Sequence, residues 1–243
     1  MVFYFCFIGM CQFAGLNPES GPVLEQIRAI LFKDFRVEFR QRVLTATLLL
    51  FVASSCFTVY QVYFIGRARV TPLVWNSVFW IMVLFSSFQV VGRTFSRELN
   101  QEFWYYTFVV KAELLILSKL IYHFLMLNVA ALLVWIFLST FFKNPVQDVG
   151  LFWITVELGC LGFSSALTLV SAIASKAGKN SVLLPVLGFP LLIPILIVVI
   201  RLSITALDTL DWGVAWQNIF TLCGLDAIMI GLSFILFPYL WRH

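Results

Sequence analysis

A run of nineteen residues without a charge, 182–200, most constrains the fold of this chain. About 20 consecutive apolar residues are enough for one helix to cross the ~30 Å hydrocarbon core of a bilayer. The run also contains Pro185, Pro190 and Pro194, and a proline inside a helix removes a backbone hydrogen bond and kinks the helix. In a membrane, neighbouring helices and waters can satisfy the freed carbonyl groups. The run therefore predicts a bent transmembrane helix that packs among others.

The composition extends this prediction to the whole chain. Of the 243 residues, 61% are hydrophobic and 12% are charged, and the mean hydropathy is +0.97. Soluble domains have about 25% charged residues, so the chain is predicted to be an all-α polytopic membrane protein. Its six spans are expected at residues 43–65, 72–92, 114–138, 150–174, 182–202 and 219–240. The longest outer loop is expected at 202–218, where Asp208, Asp211, Trp212 and Trp216 interrupt the apolar pattern.

The span before the proline-containing run is rich in small residues. Gly162 and Ala166 are four residues apart, and such a pair lets two helix backbones approach closely. These two residues and the three prolines are predicted to shape the helices. A role in packing alone explains them equally well, since Gly and Pro are generally common in membrane helices.

The distribution of Lys and Arg predicts the orientation in the membrane. If the N-terminus is cytoplasmic, 12 of the 16 basic residues lie in cytoplasmic segments. Basic residues favour the cytoplasmic side, so both termini are predicted to be cytoplasmic. The remaining four residues, on the outer side, are Arg67, Arg69, Lys143 and Arg201.

Residues before the first span form two segments. Residues 1–23 are an extension to which we assign no role, and residues 24–243 are predicted to form a single membrane domain. At 24–42, apolar residues recur near helical spacing among five basic residues. This pattern is typical of a basic amphipathic helix at the membrane interface.

The cytoplasmic stretch 93–119 is long for a simple connection between spans. Charged residues alternate in it with a cluster of aromatic residues. Helices at the membrane face with a surface for a partner are therefore predicted. The alternative is an interfacial helix that only orients the two spans beside it.

The residues around the small-residue and proline-containing spans resemble the CcmB (haem exporter protein B) family. The resemblance runs from about residue 24 to the C-terminus, and a second patch lies at 93–119, where the flanks match but the aromatic middle departs from the family pattern. The matching residues are Leu158-Gly159, Ala166-Leu167, the basic loop 176–179, Leu183-Leu184-Pro185, Pro190-Leu191 and Ile193-Pro194, and in the second patch Arg93, Phe95, Arg97, Glu98 and Lys119.

The resemblance implies a permease subunit of an ABC-type complex in c-type cytochrome maturation. It implies a homodimer in the inner membrane, a cytoplasmic ATPase subunit as partner, and haem-handling membrane proteins and a periplasmic haem chaperone in the same pathway. Haem is then a possible substrate, and no bound cofactor is expected. The residues expected to contact the ATPase are Arg93, Phe95, Arg97, Glu98 and Glu102.

Other functions find less support in the residues. The chain lacks G-x-x-x-x-G-K-[ST], and the nearest approach, at 177–180, has neither the glycine spacing nor the Ser or Thr. ATP hydrolysis is therefore expected on a separate subunit, and no catalytic residue is predicted. The net charge of +4 is spread over the loops and does not indicate nucleic acid. An ABC permease for another hydrophobic substrate and a passive membrane scaffold remain as alternatives.

Three polar residues are predicted inside spans: His123, Glu157 and Asp226. Inserting a carboxylate into a membrane span costs about 2.5–3.5 kcal/mol of free energy, so such a residue is a functional candidate by default. Hydrogen bonds or ion pairs between helices are the commoner role, and Arg201 is a candidate partner for either carboxylate. Asp226 is expected within reach of the outer interface. His123 is a weak candidate for a haem ligand. The five cysteines fit neither a metal site nor a disulfide framework, and no metal is expected.

Overall fold

The computed structural model describes residues 23–41, 43–67, 70–97, 112–176, 182–208 and 212–242. Within these ranges the chain forms seven helices and no strand. They are α1 (Val23–Gln41), α2 (Val43–Ile65), α3 (Pro72–Arg97), α4 (Ala112–Phe141), α5 (Val149–Lys176), α6 (Leu183–Asp208) and α7 (Trp212–Arg242).

Six of these helices, α2 to α7, are long and apolar enough to cross a membrane. The predicted all-α architecture with six spans is therefore confirmed. A helix also occupies the position of the predicted amphipathic helix, and one residue separates the end of α1 from the start of α2. The location of α1 at the membrane surface and the orientation of the bundle stay predictions.

The helices extend beyond the predicted spans at several ends. α6 continues to Asp208 and α7 already begins at Trp212, so the predicted outer loop at 202–218 is wrong. Likewise, α3 continues to Arg97 and α4 begins at Ala112, which shortens the predicted connection at 93–119. Hydropathy marks only the part of a helix in hydrocarbon, whereas backbone hydrogen bonds can continue the helix into the polar interface.

Helix α5 lies at the centre of the bundle. It packs most extensively against α6 and α7, and also contacts α3 and α4. Phe163, Leu167 and Val170 of α5 are fully buried. The hydroxyl groups of Ser164 and Ser165 donate to carbonyl groups one turn earlier in the same helix, so these polar residues are satisfied within α5.

A tryptophan of α3 connects α5 and α6. The Trp80 ring lies against Gly159 of α5, where an added Cβ would be 2.7 Å from a ring carbon. The indole nitrogen of Trp80 donates to Ser203 Oγ of α6 at 2.9 Å. A glycine is thus required at 159 because the indole occupies the space of a side chain.

Helix α6 is continuous through its internal prolines, Pro190 and Pro194. Both are exposed on the outer side of the bundle. Pro185 is the third residue of the helix, in the first turn, where a missing N–H group removes no helical hydrogen bond. The predicted bend at Pro190 and Pro194 stays a prediction.

Candidate functional site

The helix ends divide into two sets because consecutive spans run in opposite directions. The end of α3, the start of α4 and the end of α5 all lie at the end of the bundle where α2 begins. α1 contacts α4 at this same end. We call this end of the bundle the α1 end. It carries most of the positive charge that the sequence assigns to the cytoplasm.

A buried ion pair joins α1 to α4. Lys119 Nζ donates to Asp34 Oδ2 at 3.0 Å, and Lys33 Nζ lies 3.7 Å from Asp34 Oδ1. Burial alone would raise the pKa of the Asp34 carboxyl group. The attraction of Lys119 and Lys33 outweighs burial, so this pKa lies below its ordinary value of 3.8. Asp34 is therefore ionised at neutral pH.

A second contact between α1 and α4 lies one turn along each helix. The Tyr122 hydroxyl group donates to Glu38 Oε2 at 3.4 Å, and the rings of Phe35 and Tyr122 meet edge to face with centroids 5.4 Å apart. Glu38 and Tyr122 are both buried. The contact between α1 and α4 is thus polar and aromatic, and it fixes α1 at a defined rotation.

His123 continues this polar cluster from α4 to α5. Its Nδ1 atom lies 2.8 Å from Thr168 Oγ1. The Thr168 hydroxyl group donates its only hydrogen to the Ser164 carbonyl group, so it accepts from His123, and Nδ1 carries the proton. We call these six residues the junction cluster: Asp34, Glu38, Lys119, Tyr122, His123 and Thr168.

Four members of the junction cluster were not predicted as site residues: Asp34, Glu38, Tyr122 and Thr168. Asp34 and Glu38 are four residues apart and therefore lie on one face of a mainly basic helix. This spacing shows that the two carboxylates share a face but does not identify their partners on α4. Lys119 falls in both the predicted connection 93–119 and the predicted span 114–138, and the structure places it inside α4 with 9% of its side chain exposed.

The predicted ATPase-contacting residues lie partly outside the described residues. Arg93 is half-buried and donates to Thr47 Oγ1 of α2 at 2.8 Å. Phe95 and Arg97 belong to the last turn of α3. Glu98 and Glu102 lie in the segment 98–111, outside the described residues. Arg93 therefore holds the end of α3 against α2.

The two intramembrane carboxylates occupy different environments. Glu157 is exposed on α5, whereas Asp226 is 2% exposed in the interior. Asp226 is the central residue of the apolar segment Ala215–Phe237, so its expected access to the outer interface is wrong. Arg201 is exposed, and the structure shows no ion pair between it and either carboxylate. The predicted last span began at 219, whereas α7 begins at Trp212, and this difference placed Asp226 too close to the outer end of its helix.

The predicted small-residue pair lies at the contacts of α5. Ala166 is fully buried. An added Cβ at Gly162 would be 2.5 Å from Asp226 Oδ1 of α7 and 3.0 Å from the side chain of Ile195 of α6. The group that packs closely against Gly162 is thus a carboxyl group, and the close approach of two helix backbones at the Gly162 and Ala166 pair stays a prediction.

No group of three or more His, Cys, Asp or Glu residues in the described ranges is arranged to hold a metal ion. Cys56 and Cys160 are buried free thiols, whereas Cys223 is exposed. His123 is 2% exposed, and its described contact is a hydrogen bond between helices. The Nε2 atom of His123 is buried without a described hydrogen-bond partner, so the two roles of His123 stay predictions.

Comparison with known protein families identifies the family of this chain. The family model described as "CcmB protein" matches residues 25–239, which is most of the chain and includes all seven helices almost completely. Neither a comparison with curated proteins nor one with solved structures finds a match. The family match confirms the resemblance carried by the glycine and proline motifs. The chain therefore belongs to the CcmB family and is a multi-pass permease component of a haem exporter ABC system in c-type cytochrome biogenesis.

Proposed function

We propose that this permease transmits the work of ATP hydrolysis on a separate cytoplasmic subunit across the membrane. That work drives either the export of haem or the release of a haem-loaded periplasmic chaperone. The observation that carries the proposal is the buried Lys119–Asp34 pair. It joins α1 firmly to α4 at the α1 end of the bundle, close to where the segment 98–111 connects α3 and α4.

The position of this pair supports a mechanical connection. α4 begins at Ala112, directly after the segment 98–111. A displacement of that segment therefore acts on the first turns of α4. Through Lys119 it reaches α1, and through the hydrogen bond of His123 to Thr168 it reaches α5. The junction cluster thus connects the proposed contact with the ATPase to the central helix of the bundle.

The proposed contact with the ATPase includes Phe95, Arg97, Glu98 and Glu102. Arg93 positions this contact indirectly, because its hydrogen bond to Thr47 orients the end of α3. Two copies of this chain would bind two ATPase subunits in the inner membrane. Haem-handling membrane proteins and a periplasmic haem chaperone complete the assembly. Haem enters this proposal as a substrate.

Charge reversal at Glu98 tests the proposal. Truncating one partner of a buried charged pair typically costs about 2–5 kcal/mol, whereas an exposed charge at the rim of an interface costs little. Glu98→Arg should therefore release more ATPase on co-purification than Glu98→Ala, at equal membrane abundance. Lys143→Glu is the matched control because Lys143 is exposed at the opposite end.

Full ATPase retention and normal cytochrome c maturation with Glu98→Arg would contradict a contact between the ATPase and the segment 98–111. That outcome would favour α1 as the ATPase-binding element. Haem that co-purifies with the permease in a one-to-one ratio would favour haem export. A haem-free permease whose ATPase partner still drives maturation would favour chaperone release.

A further inference from the structure

Three helices meet at the same depth in the middle of the bundle. Asp226 is the twelfth of the 23 residues of Ala215–Phe237, Gly162 is the fourteenth of the 26 residues of Val149–Ala174, and Ile195 is the thirteenth of the 25 residues of Leu183–Leu207. Asp226 therefore lies midway along the apolar segment of α7, far from both of its ends.

The carboxyl group of Asp226 fills a small apolar site. Only 2% of the residue is exposed. The carboxyl group occupies the space left by the missing side chain of Gly162, since an added Cβ would be 2.5 Å from Oδ1, and Ile195 forms the adjoining wall. Neither Oδ1 nor Oδ2 has a hydrogen-bond partner among the described residues.

None of the described charged and titratable groups on α4, α5 and α6 forms a hydrogen bond with Asp226. On α5, Glu157 is exposed, and Cys160 is a buried thiol. On α6, Arg201 is exposed. On α4, His123 donates to Thr168, and Lys119 donates to Asp34. No described cation therefore faces the Asp226 carboxyl group.

An ionised carboxylate in such a place is shielded from bulk water and has no partner among the described residues. Its desolvation is so costly that buried groups of this kind take up a proton instead. We propose that Asp226 is a proton-binding site at the centre of the bundle, with the neutral acid seated on Gly162 in the conformation described here. The ligand of the site is a single proton, and no other ion is required.

Protonation of Asp226 then controls the contact between α5 and α7. The neutral carboxyl group fits the apolar site at Gly162, whereas a charged one needs water or a cation and therefore separates the helices. Two turns further along α7, the Ser233 hydroxyl group reaches the Ser165 carbonyl group at 3.4 Å. Loss of the proton should loosen this neighbouring contact as well.

Infrared spectroscopy tests the protonation state directly. The full-length protein with ¹³C-labelled aspartate carboxyl groups is measured in lipid vesicles at neutral pH. We expect a C=O band of a protonated carboxylic acid that shifts with the label and is lost in Asp226→Asn. Asp34→Asn should keep the band because Asp34 is ionised. Equal spectra of the wild type and Asp226→Asn would overturn the proposal.

Disulfide crosslinking tests the consequence for packing. With Ser165→Cys and Ser233→Cys in a background free of other cysteines, oxidation should crosslink α5 to α7 readily at acidic and neutral pH. The crosslinking yield at each pH is divided by the reactivity of the exposed Cys223, which is measured separately in a protein that has Cys223 as its single cysteine. This normalised yield should fall several-fold at alkaline pH. In the Asp226→Asn background the normalised yield should not depend on pH. A fall of equal size with Asn at 226 would contradict a proton switch at Asp226.

Discussion

The amino group of Lys119 in α4 lies 3.0 Å from the carboxylate of Asp34 in α1, and only 9% and 11% of the two side chains are exposed. These residues are separated by 85 positions in the sequence. Their pairing fixes the amphipathic helix α1 to α4, and it defines the rotation and position of α1 along α4.

Removal of the cation should detach α1. Lys119→Met leaves Asp34 buried with only the more distant Lys33, and breaking a buried pair costs about 3–5 kcal/mol. We expect a lower melting temperature and faster proteolysis of α1 in membranes. The double variant Asp34→Asn/Lys119→Met should be milder, because the buried Asp34 carboxylate is then removed together with its main partner. Arg28→Ala, at an exposed position of α1, is the control, and equal behaviour of Lys119→Met and this control would contradict the prediction.

Acid should release α1 through the same carboxyl group. The pKa of Asp34 is depressed below its ordinary value of 3.8, so its stabilising contribution is fully present above that pH. The contribution is lost as the pH falls through the lower pKa of the folded state. Cleavage of α1 by an acid-active protease should therefore increase below about pH 3.8. In Asp34→Asn this part of the pH dependence should be missing, and its persistence would assign the effect to another group.

An alanine at 162 should damage the packing of α7. Its Cβ would overlap Asp226 Oδ1 at 2.5 Å, and overpacking costs roughly 1–3 kcal/mol. Gly162→Ala should lower the melting temperature in detergent, and Gly162→Ala/Asp226→Ala should recover part of the loss. Gly224→Ala is the matched control, since nothing lies within 4 Å of its added Cβ. A Gly162→Ala protein as stable as the Gly224→Ala protein would show that the contact relaxes without cost.

Replacement of the exposed prolines should affect function through the backbone. Pro190 and Pro194 face outward, so Pro→Ala creates no internal cavity, and it restores N–H groups that can straighten α6. We expect normal membrane insertion but reduced cytochrome c maturation for Pro194→Ala and for the double variant. Ile193→Ala, on the same exposed side, should mature cytochromes normally. Wild-type maturation by the double variant would mean that these prolines have no mechanical role.

Accessibility labelling should establish the orientation of the bundle. In a variant without its own cysteines, Lys143→Cys should react with a membrane-impermeant reagent from the periplasmic side. Cysteines at 179 and 242 should react only after the cytoplasmic side is opened. The expectation follows from the distribution of 12 and 4 basic residues. Periplasmic labelling at 179 would reverse the predicted topology.

The sequence predicted the spans well because a membrane helix must be apolar along its whole buried length. The prediction for α2, 43–65, coincides with the helix Val43–Ile65. It failed at α7, which begins at Trp212 rather than 219, because helical hydrogen bonding continues where apolarity ends. The same error moved Asp226 towards the surface in the prediction.

Tertiary contacts were beyond the reach of sequence patterns. Gly162 was predicted to let two helix backbones approach, and nothing in its helix identifies Asp226 as the group that lies against it. Similarly, charge counting assigned Lys119 to the cytoplasmic side but did not find Asp34. Such pairings depend on the relative rotation and position of whole helices, which emerge only when the bundle is assembled.

The single residue between α1 and α2 has a mechanical consequence. α1 ends at Gln41 and α2 begins at Val43, so the Cα atoms of these two residues are at most about 7 Å apart even if the chain between them is extended. There is too little slack for one helix to slide past the other. A lateral displacement of α1 would therefore move the adjoining end of α2, so that α1 and the first membrane-spanning helix are mechanically coupled.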